Sequence, residues 1–376
     1  MHKDFKNISH ARRPLVNENA NFEFALERWL DNLKNDAAVL DEVQNWLSQP
    51  EFDGFIKATL THSPFLGNLL MREAAFSVDF LKNGADVSFS KIIDELEDLQ
   101  HQKITETELI KVLRVAKRRA ALLIGFADLA GCWPLAKVTK SLSELAEAAL
   151  NATSAFILKS MHSRGELELP NPEKPNLNSG FVILGMGKFG SRELNYSSDI
   201  DLIVLYDPER IQSKDHNALR QHFVRATRDL MRIMDSRTAD GYVFRTDLRL
   251  RPDPGATPLA IPYLGAVTYY ESLGQNWERA AMIKARPVAG DMQLGATFIQ
   301  DIRPFVWRKT LDFAMIQDIH SIKRQIHAHK GGGQIAILNH NIKIGRGGIR
   351  EIEFFAQTQQ LIWGGRQAEM RVKDTI

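Results

Sequence analysis

Three carboxylates and a run of arginines are the residues best suited to chemistry. Asp199-Ile200-Asp201 opens an apolar stretch, Ile200 to Tyr206, of strand length. Alternation along a strand puts both acids on one face and directs Ile200 and Leu202 toward a core. Two adjacent carboxylates repel, and each resists ionisation unless a cation sits between them. Mg²⁺, which takes oxygen ligands together with phosphate oxygens, resolves that conflict. A later stretch, Tyr242 to Leu250, reads as a further strand. In it Arg245, Asp247, Arg249 and Arg251 share one face, opposite Phe244, Thr246, Leu248 and Leu250. An acid among arginines suits a two-metal phosphoryl site, where the acid completes the metal shell and the cations hold phosphate oxygens. A lone D-x-D is more often a solvated strand end, and a lone charged strand face more often meets water. Together with a glycine turn they favour catalysis.

That turn is Gly185-Met186-Gly187-Lys188-Phe189-Gly190, directly after the apolar run Phe181 to Leu184. It matches G-x-G-x-x-G literally, and Asp207 stands where a ribose-binding acid would. A parallel crossover needs a full helix, however, and Ser191 to Ser198 is too short to supply one. The other reading makes Gly185 the end of a strand, where backbone amides approach a phosphate with no Cβ in the way. Gly187, Lys188 and Ser198 then join Gly185 as candidates to bind nucleotide or phosphate, with Arg249 and Arg251. Near the end of the chain, Lys343-Ile344-Gly345-Arg346-Gly347-Gly348 feeds a helical pattern through Ile349, Ile352 and Phe355. This is either a flexible turn or an anion site in which Lys343 and Arg346 add charge. Arg279, Lys284 and Arg286 could also reach a phosphate, whereas Trp277, Ala281 and Met282 read as core packing. His327 and His329 lack a third ligand at metal spacing and read as a solvated helix face.

The elements that must position these residues differ along the chain. Residues 1–165 read as stacked amphipathic helices. Phe22, Leu26, Trp29, Leu30 and Leu33 share one face, and so do Val39, Leu40, Val43, Trp46 and Leu47. Ser63-Pro64 is a helix start, and Thr105 with Glu108 a capping box. Pro170, Pro172 and Pro175 suggest an extended linker. Residues 180–292 hold the strand-length runs, with helical periodicity from Asn217 to Met234, and residues 296–376 are helical again, interrupted by Gly331-Gly332-Gly333. The expected fold class is α+β. The chain stops at Ile376 without a helix-ending signal, as expected of a piece of something longer.

Composition narrows the function classes. The 376 residues carry 48 Lys plus Arg against 46 Asp plus Glu, a net charge of +2, which argues against a nucleic-acid binder. The single cysteine, Cys132, excludes an internal disulfide and any Cys-based zinc site, and suits a reducing cytoplasm. The longest apolar run, Ala120 to Ala127, is far short of a membrane span of roughly 20 residues.

Leu184-Gly185, followed about a dozen residues later by D-x-D and then by a carboxylate on a later strand, resembles the signature of the polymerase-β-like nucleotidyltransferase superfamily. Met186 stands where that superfamily usually has Gly or Ser. The resemblance implies a polymerase-β-like sheet-and-helix domain flanked by helical regions. Four longer strings cover more of the chain: LGMGKFGSRELNYSSDIDLIVLYD, VFRTDLRLRPDPGATPLA, YYESLGQNWERAAMIKARPVAGD and IKIGRGGIREIEFFAQ. Together they are similar to the bifunctional glutamine synthetase adenylyltransferase/adenylyl-removing family, and to its N-terminal, AMP-removing half. The resemblance implies phosphorolysis, in which phosphate attacks adenylyl-tyrosine on glutamine synthetase and releases ADP. The chemistry of the residues agrees: Asp199, Asp201 and Asp247 are expected to hold one or two Mg²⁺ ions, and Arg249, Arg251 and Arg346 the phosphate; the family resemblance also implies PII as regulatory partner. Two alternatives remain at this stage: the forward, ATP-dependent adenylyl transfer, and a silent nucleotide-sensing or docking module.

Overall fold

The computed structural model describes residues 1–6, 15, 22–309, 338, 340–343 and 345–374. His327, His329 and the glycines 331–333 lie outside the described residues, as does Ile344. Two compact units interleave along the chain. One comprises Met1–Thr153, Leu194–Tyr196 and Ile233–Phe244; the other comprises Ser154–Glu193, Ser197–Arg232 and Arg245–Ile376.

The first unit is helical. Some of its helices start where a side chain satisfies a first free amide. Ser63 accepts from the Leu66 amide with Pro64 in the first turn, and Thr105 and Glu108 form the reciprocal capping box of helix Glu106–Leu129. The apolar stripes meet in an aromatic core. Phe55 and Phe80 each present an edge to Phe126, at 5.5 and 5.6 Å between ring centres. From the two amphipathic faces expected near the N-terminus, Trp29, Leu33, Val43 and Trp46 are buried. Arg114 is fully buried, and its guanidinium donates to the carbonyls of Ile110, Ser236 and Gly241. Those acceptors offset much of its desolvation cost. The Cys132 thiol donates to the Asp4 carbonyl, and burial pushes its pKa up to about 12, so it is an inert thiol.

The second unit is built on a mixed five-stranded sheet: β1 (Phe181–Gly185), β2 (Ile200–Tyr206), β3 (Thr246–Asp247), β4 (Ala260–Pro262) and β5 (Arg286–Gly290). β1 lies between β2 and β5, antiparallel to both, while β3 and β4 pair in parallel with successive parts of β2. The antiparallel β1–β2 pair removes the Rossmann reading, because a dinucleotide-binding crossover joins parallel strands. Asp207, the expected ribose acid, lies just past β2, where it pairs with Arg210 at 3.3 Å.

Both sheet faces are covered. Val182, Leu184, Met186, Ile203 and Leu205 pack with Tyr270, Leu294 and Phe298 from helices Tyr263–Ser272 and Met292–Asp301. On the opposite face Phe223 stacks on Tyr206 and Phe181, with centroids at 4.7 and 5.5 Å. β1 and β2 are therefore almost continuously apolar, and Asp201 shares its face with Ile203 and Leu205 instead of facing open water.

Several expectations change. The stretch Tyr242 to Leu250 supplies only two strand residues, Thr246 and Asp247. The Arg249 amide donates to Asp247 Oδ1 at 2.8 Å, which turns the chain out of the sheet. Residues 170–180 form successive turns, not an extended linker: the Lys174 amide meets the Asn171 carbonyl and the Leu177 amide the Lys174 carbonyl. Trp277 is 40% exposed, so it is not core, whereas Met282 is buried as expected.

Candidate active site

β2 positions the acids. Asp201 is half-buried near its start, and Asp199 lies just upstream. β3 brings in the third acid, because Asp201 and Asp247 are direct partners in the parallel register. In-register neighbours point to the same side of a sheet, so the two carboxylates face one another across the strands. The electrostatics show this crowding. Burial first, then the charges of Asp247 and Asp199, push the Asp201 pKa up to about 6.

Arginines engage the other two acids. Arg245 Nε donates to Asp199 Oδ1 at 2.5 Å and its Nη2 to the Ser197 carbonyl at 2.5 Å. Arg249 forks onto Asp247, with Nε at 2.8 Å from Oδ2 and Nη2 at 2.5 Å. That guanidinium holds the Asp247 carboxyl below the usual carboxylate range. The donor set, three carboxylates, has the hard oxygen chemistry that Mg²⁺ prefers. As placed, however, no three His, Cys, Asp or Glu side chains among the described residues form a group ready to hold a metal. Arg245 and Arg249 instead engage Asp199 and Asp247.

Arg249 is 84% exposed, so solvent strongly screens its pair with Asp247. The expected result for Arg249→Ala follows: the Asp247 pKa rises toward its ordinary value, and divalent-ion affinity of the ligand-free chain changes by no more than about fivefold. Calorimetric titration with Mg²⁺ or Mn²⁺ checks this, and a larger change would show that the fork controls the metal site.

The glycine turn lies against Asp201. Gly187 has φ +52°, and a Cβ there would sit 3.2 Å from Asp201 Oδ2. Glycine thus permits the backbone conformation and leaves room beside the carboxylate. Gly185 ends β1, as expected, in tight packing. A Cβ there would meet Val288 at 2.7 Å and Phe189 at 2.8 Å, and the following amide, Met186 N–H, donates to the Asp201 carbonyl. Lys188 and Ser198 are both half-buried on the connection from β1 to β2.

Arg251 is a correction. Its guanidinium donates to the carbonyls of Leu248, Pro254 and Thr257, and clamps the loop that follows β3. The expected face of Arg245, Asp247, Arg249 and Arg251 needed an unbroken strand, and the turn at Asp247 ends it. Arg279 is buried on the carbonyls of Phe305 and Val306, and Arg286 donates to those of Phe189 and Gly190.

In the glycine-rich turn before helix Ile349–Trp363, Arg346 is exposed, and its carbonyl meets the His340 imidazole. Lys343 is close enough to Asp201 to lower its pKa, partly opposing the carboxylates. Lys343 was visible in the sequence only as a charge beside glycines. Its approach to Asp201, like the pairing of Arg245 with Asp199, depends on the tertiary fold.

The family model described as glutamate-ammonia ligase adenylyltransferase matches residues 54–301, and one described as GlnD PII-uridylyltransferase matches residues 319–375. Three similar proteins each carry the name bifunctional glutamine synthetase adenylyltransferase/adenylyl-removing enzyme. That of Mesorhizobium japonicum is 50% identical over 323 residues, covering 86% of this chain and 33% of the relative. That of Brucella suis is 51% identical over the same shares. That of Rhizobium meliloti is 47% identical over 352 residues, covering 92% of this chain and 36% of the relative. The chain spans about a third of the length of the curated relatives it matches. With two-thirds of its residues inside one family model and relatives near half identity across most of its length, the chain belongs to the glutamate-ammonia ligase adenylyltransferase family.

Proposed function

We propose that this chain removes AMP from adenylyl-tyrosine on glutamine synthetase by phosphorolysis, with residues 180–292 as the catalytic core. The observation that carries the reading is the placement of Asp201 opposite Asp247, with Asp199 just upstream and the Gly187 turn against them. Asp199, Asp201 and Asp247 would hold one or two Mg²⁺ ions, which supply charge stabilisation at the phosphorus oxygens and the leaving phenolate.

The side chains contribute binding and charge. Phosphate is largely ionised at neutral pH and needs no strong base, but two anions must be brought together. Arg245 pairs with Asp199, Arg249 with Asp247, and Lys343 approaches Asp201; these cations offset that repulsion. Gly187 leaves the space beside Asp201 in which an oxygen of the transferred group fits. A phosphate oxygen forms a bond to the AMP phosphorus as the bond from phosphorus to the tyrosine oxygen breaks. The phenolate, whose conjugate acid has a pKa near 10, takes a proton from solvent. The products are ADP and unmodified tyrosine. Arg346 remains a candidate for the approaching phosphate, and PII, implied by the family resemblance, is the proposed regulatory partner. Among the described residues no helix is long and apolar enough to cross a membrane, in keeping with the cytoplasmic location we propose.

The test is direct. The chain is incubated with adenylylated glutamine synthetase, Mg²⁺ and phosphate, and the nucleotide products are separated. Phosphate-dependent ADP is the expected product. Pyrophosphate release from ATP, with no need for phosphate, would instead identify the forward transferase. No nucleotide product from the folded chain would favour a silent docking module.

A further inference from the structure

Lys284 is 3% exposed, and its charge is compensated inside the protein. Its Nζ lies 3.2 Å from Glu193 Oε2 and 3.5 Å from Glu353 Oε1. Glu193 also accepts from the Ser191 hydroxyl at 2.8 Å. A buried ammonium is tolerated only when paired, and two carboxylates around one ammonium hold each other's position.

The three residues belong to different elements. Glu193 follows the Gly187–Gly190 turn, and its amide bonds back to the Lys188 carbonyl. Lys284 lies two residues before β5, and its carbonyl oxygen would be 2.0 Å from a Cβ on Gly190. Glu353 is in the second turn of helix Ile349–Trp363. The start of that helix is bonded to the loop carrying Lys343, since the Ile349 amide donates to the Ile342 carbonyl and the Arg350 amide to the Lys343 carbonyl. Gly187 and Lys343 both approach Asp201.

We propose that Lys284 is a positioning residue: its buried ammonium ties the Gly187–Gly190 turn to helix Ile349–Trp363, to which the loop carrying Lys343 is bonded, and so holds both elements around Asp201. The catalytic consequence rests on the phosphorolysis reading, whereas the tether itself does not. Lys284 was a candidate to contact phosphate directly, and its burial between two carboxylates reassigns it.

Two variants test the tether in the full chain. Lys284→Met removes the ammonium. Glu353→Gln keeps the Lys284–Glu193 pair and is the milder change, so it serves where Lys284→Met fails to fold. Hydrogen exchange is followed at the amides of Gly190, Ser191, Arg192 and Glu193, all of them hydrogen-bonded within the turn. The expected result is exchange about tenfold faster at these amides in Glu353→Gln, although the substitution lies on the helix. Faster exchange confined to residues 349–363, or none, would overturn the proposal. In the ADP assay, kcat should fall about tenfold with KM for the adenylylated protein unchanged. A rise in KM alone would overturn the positioning role. If the wild-type chain makes no ADP, the phosphorolysis reading fails while hydrogen exchange still decides the tether.

Discussion

Asp201→Asn should lower phosphorolytic turnover by about 10³-fold or more and, in the absence of divalent ions, raise the stability of the folded chain. The two effects share one cause. Asp201 is half-buried on a face that continues into Ile203 and Leu205, and it faces Asp247 across the sheet. Its pKa of about 6 in the folded chain exceeds the ordinary 3.8, so the folded state holds its proton more tightly than the unfolded state does. The sign is then fixed by linkage: stability falls as pH rises from about 4 to about 6, and the full penalty remains above that range. Asparagine removes the charge and keeps the shape. At pH 8 in a chelator it should stabilise by on the order of 1–3 kcal/mol, a gain that disappears near pH 4. Mg²⁺ should stabilise the wild type at pH 8 and leave the variant almost unchanged. Thermal melts at both pH values, with and without Mg²⁺, read all three outcomes. A variant less stable than wild type at pH 8 would show that Asp201 is already compensated, and the metal-site reading would lose its main support.

Gly190→Ala should be among the most destabilising small substitutions in the second unit. A Cβ at Gly190 would sit 2.0 Å from the Lys284 carbonyl oxygen and 2.6 Å from that of Gly185. Both are backbone atoms of strands or of the segment leading into one, so neither can rotate away as a side chain would. Replacing glycine by alanine ordinarily gains about 0.4–1 kcal/mol through the unfolded state, but the clash forces β1 and the start of β5 apart and should cost about 3 kcal/mol or more. Because the same turn carries Gly187 against Asp201, turnover should fall even in molecules that remain folded. Gly255→Ala is the control. Its nearest atom, Asp253 Oδ1, lies at 3.6 Å, so stability should stay within about 0.5 kcal/mol of wild type. Denaturant titration of the two variants separates these outcomes; equal stabilities would show that the turn has more freedom than its contacts imply.

The parts of the site legible in the sequence were those set by short-range rules. Alternation along the strand sets Asp201 on the face opposite Ile200 and Leu202, and the short connection from Gly185 to Asp199 already disfavoured a parallel crossover. The capped helices of the first unit were legible for the same reason, since Ser63 and Thr105 act on amides three residues away. The third strand was overextended because alternation continues through Arg251 in the sequence, whereas the Asp247 carboxylate accepts the Arg249 amide and starts a turn. β4 and β5 were not anticipated. Ala260–Pro262 is three residues long, and Arg286–Gly290 includes a proline and a glycine, so neither shows a strand pattern by itself.

Alone, then, the order of residues singled out the acids and glycines proposed for phosphoryl chemistry and determined which family the chain would join. Caps, alternation and turn preferences act between residues a few positions apart, and such relations survive in a linear reading. Only the folded chain decided that Asp247 faces Asp201, that Arg251 clamps a loop, that Lys343 comes near the acids, and that Lys284 is locked between Glu193 and Glu353. Those outcomes depend on burial and on charges brought together from distant segments, and such energies arise only once the sheet and its covering helices exclude water.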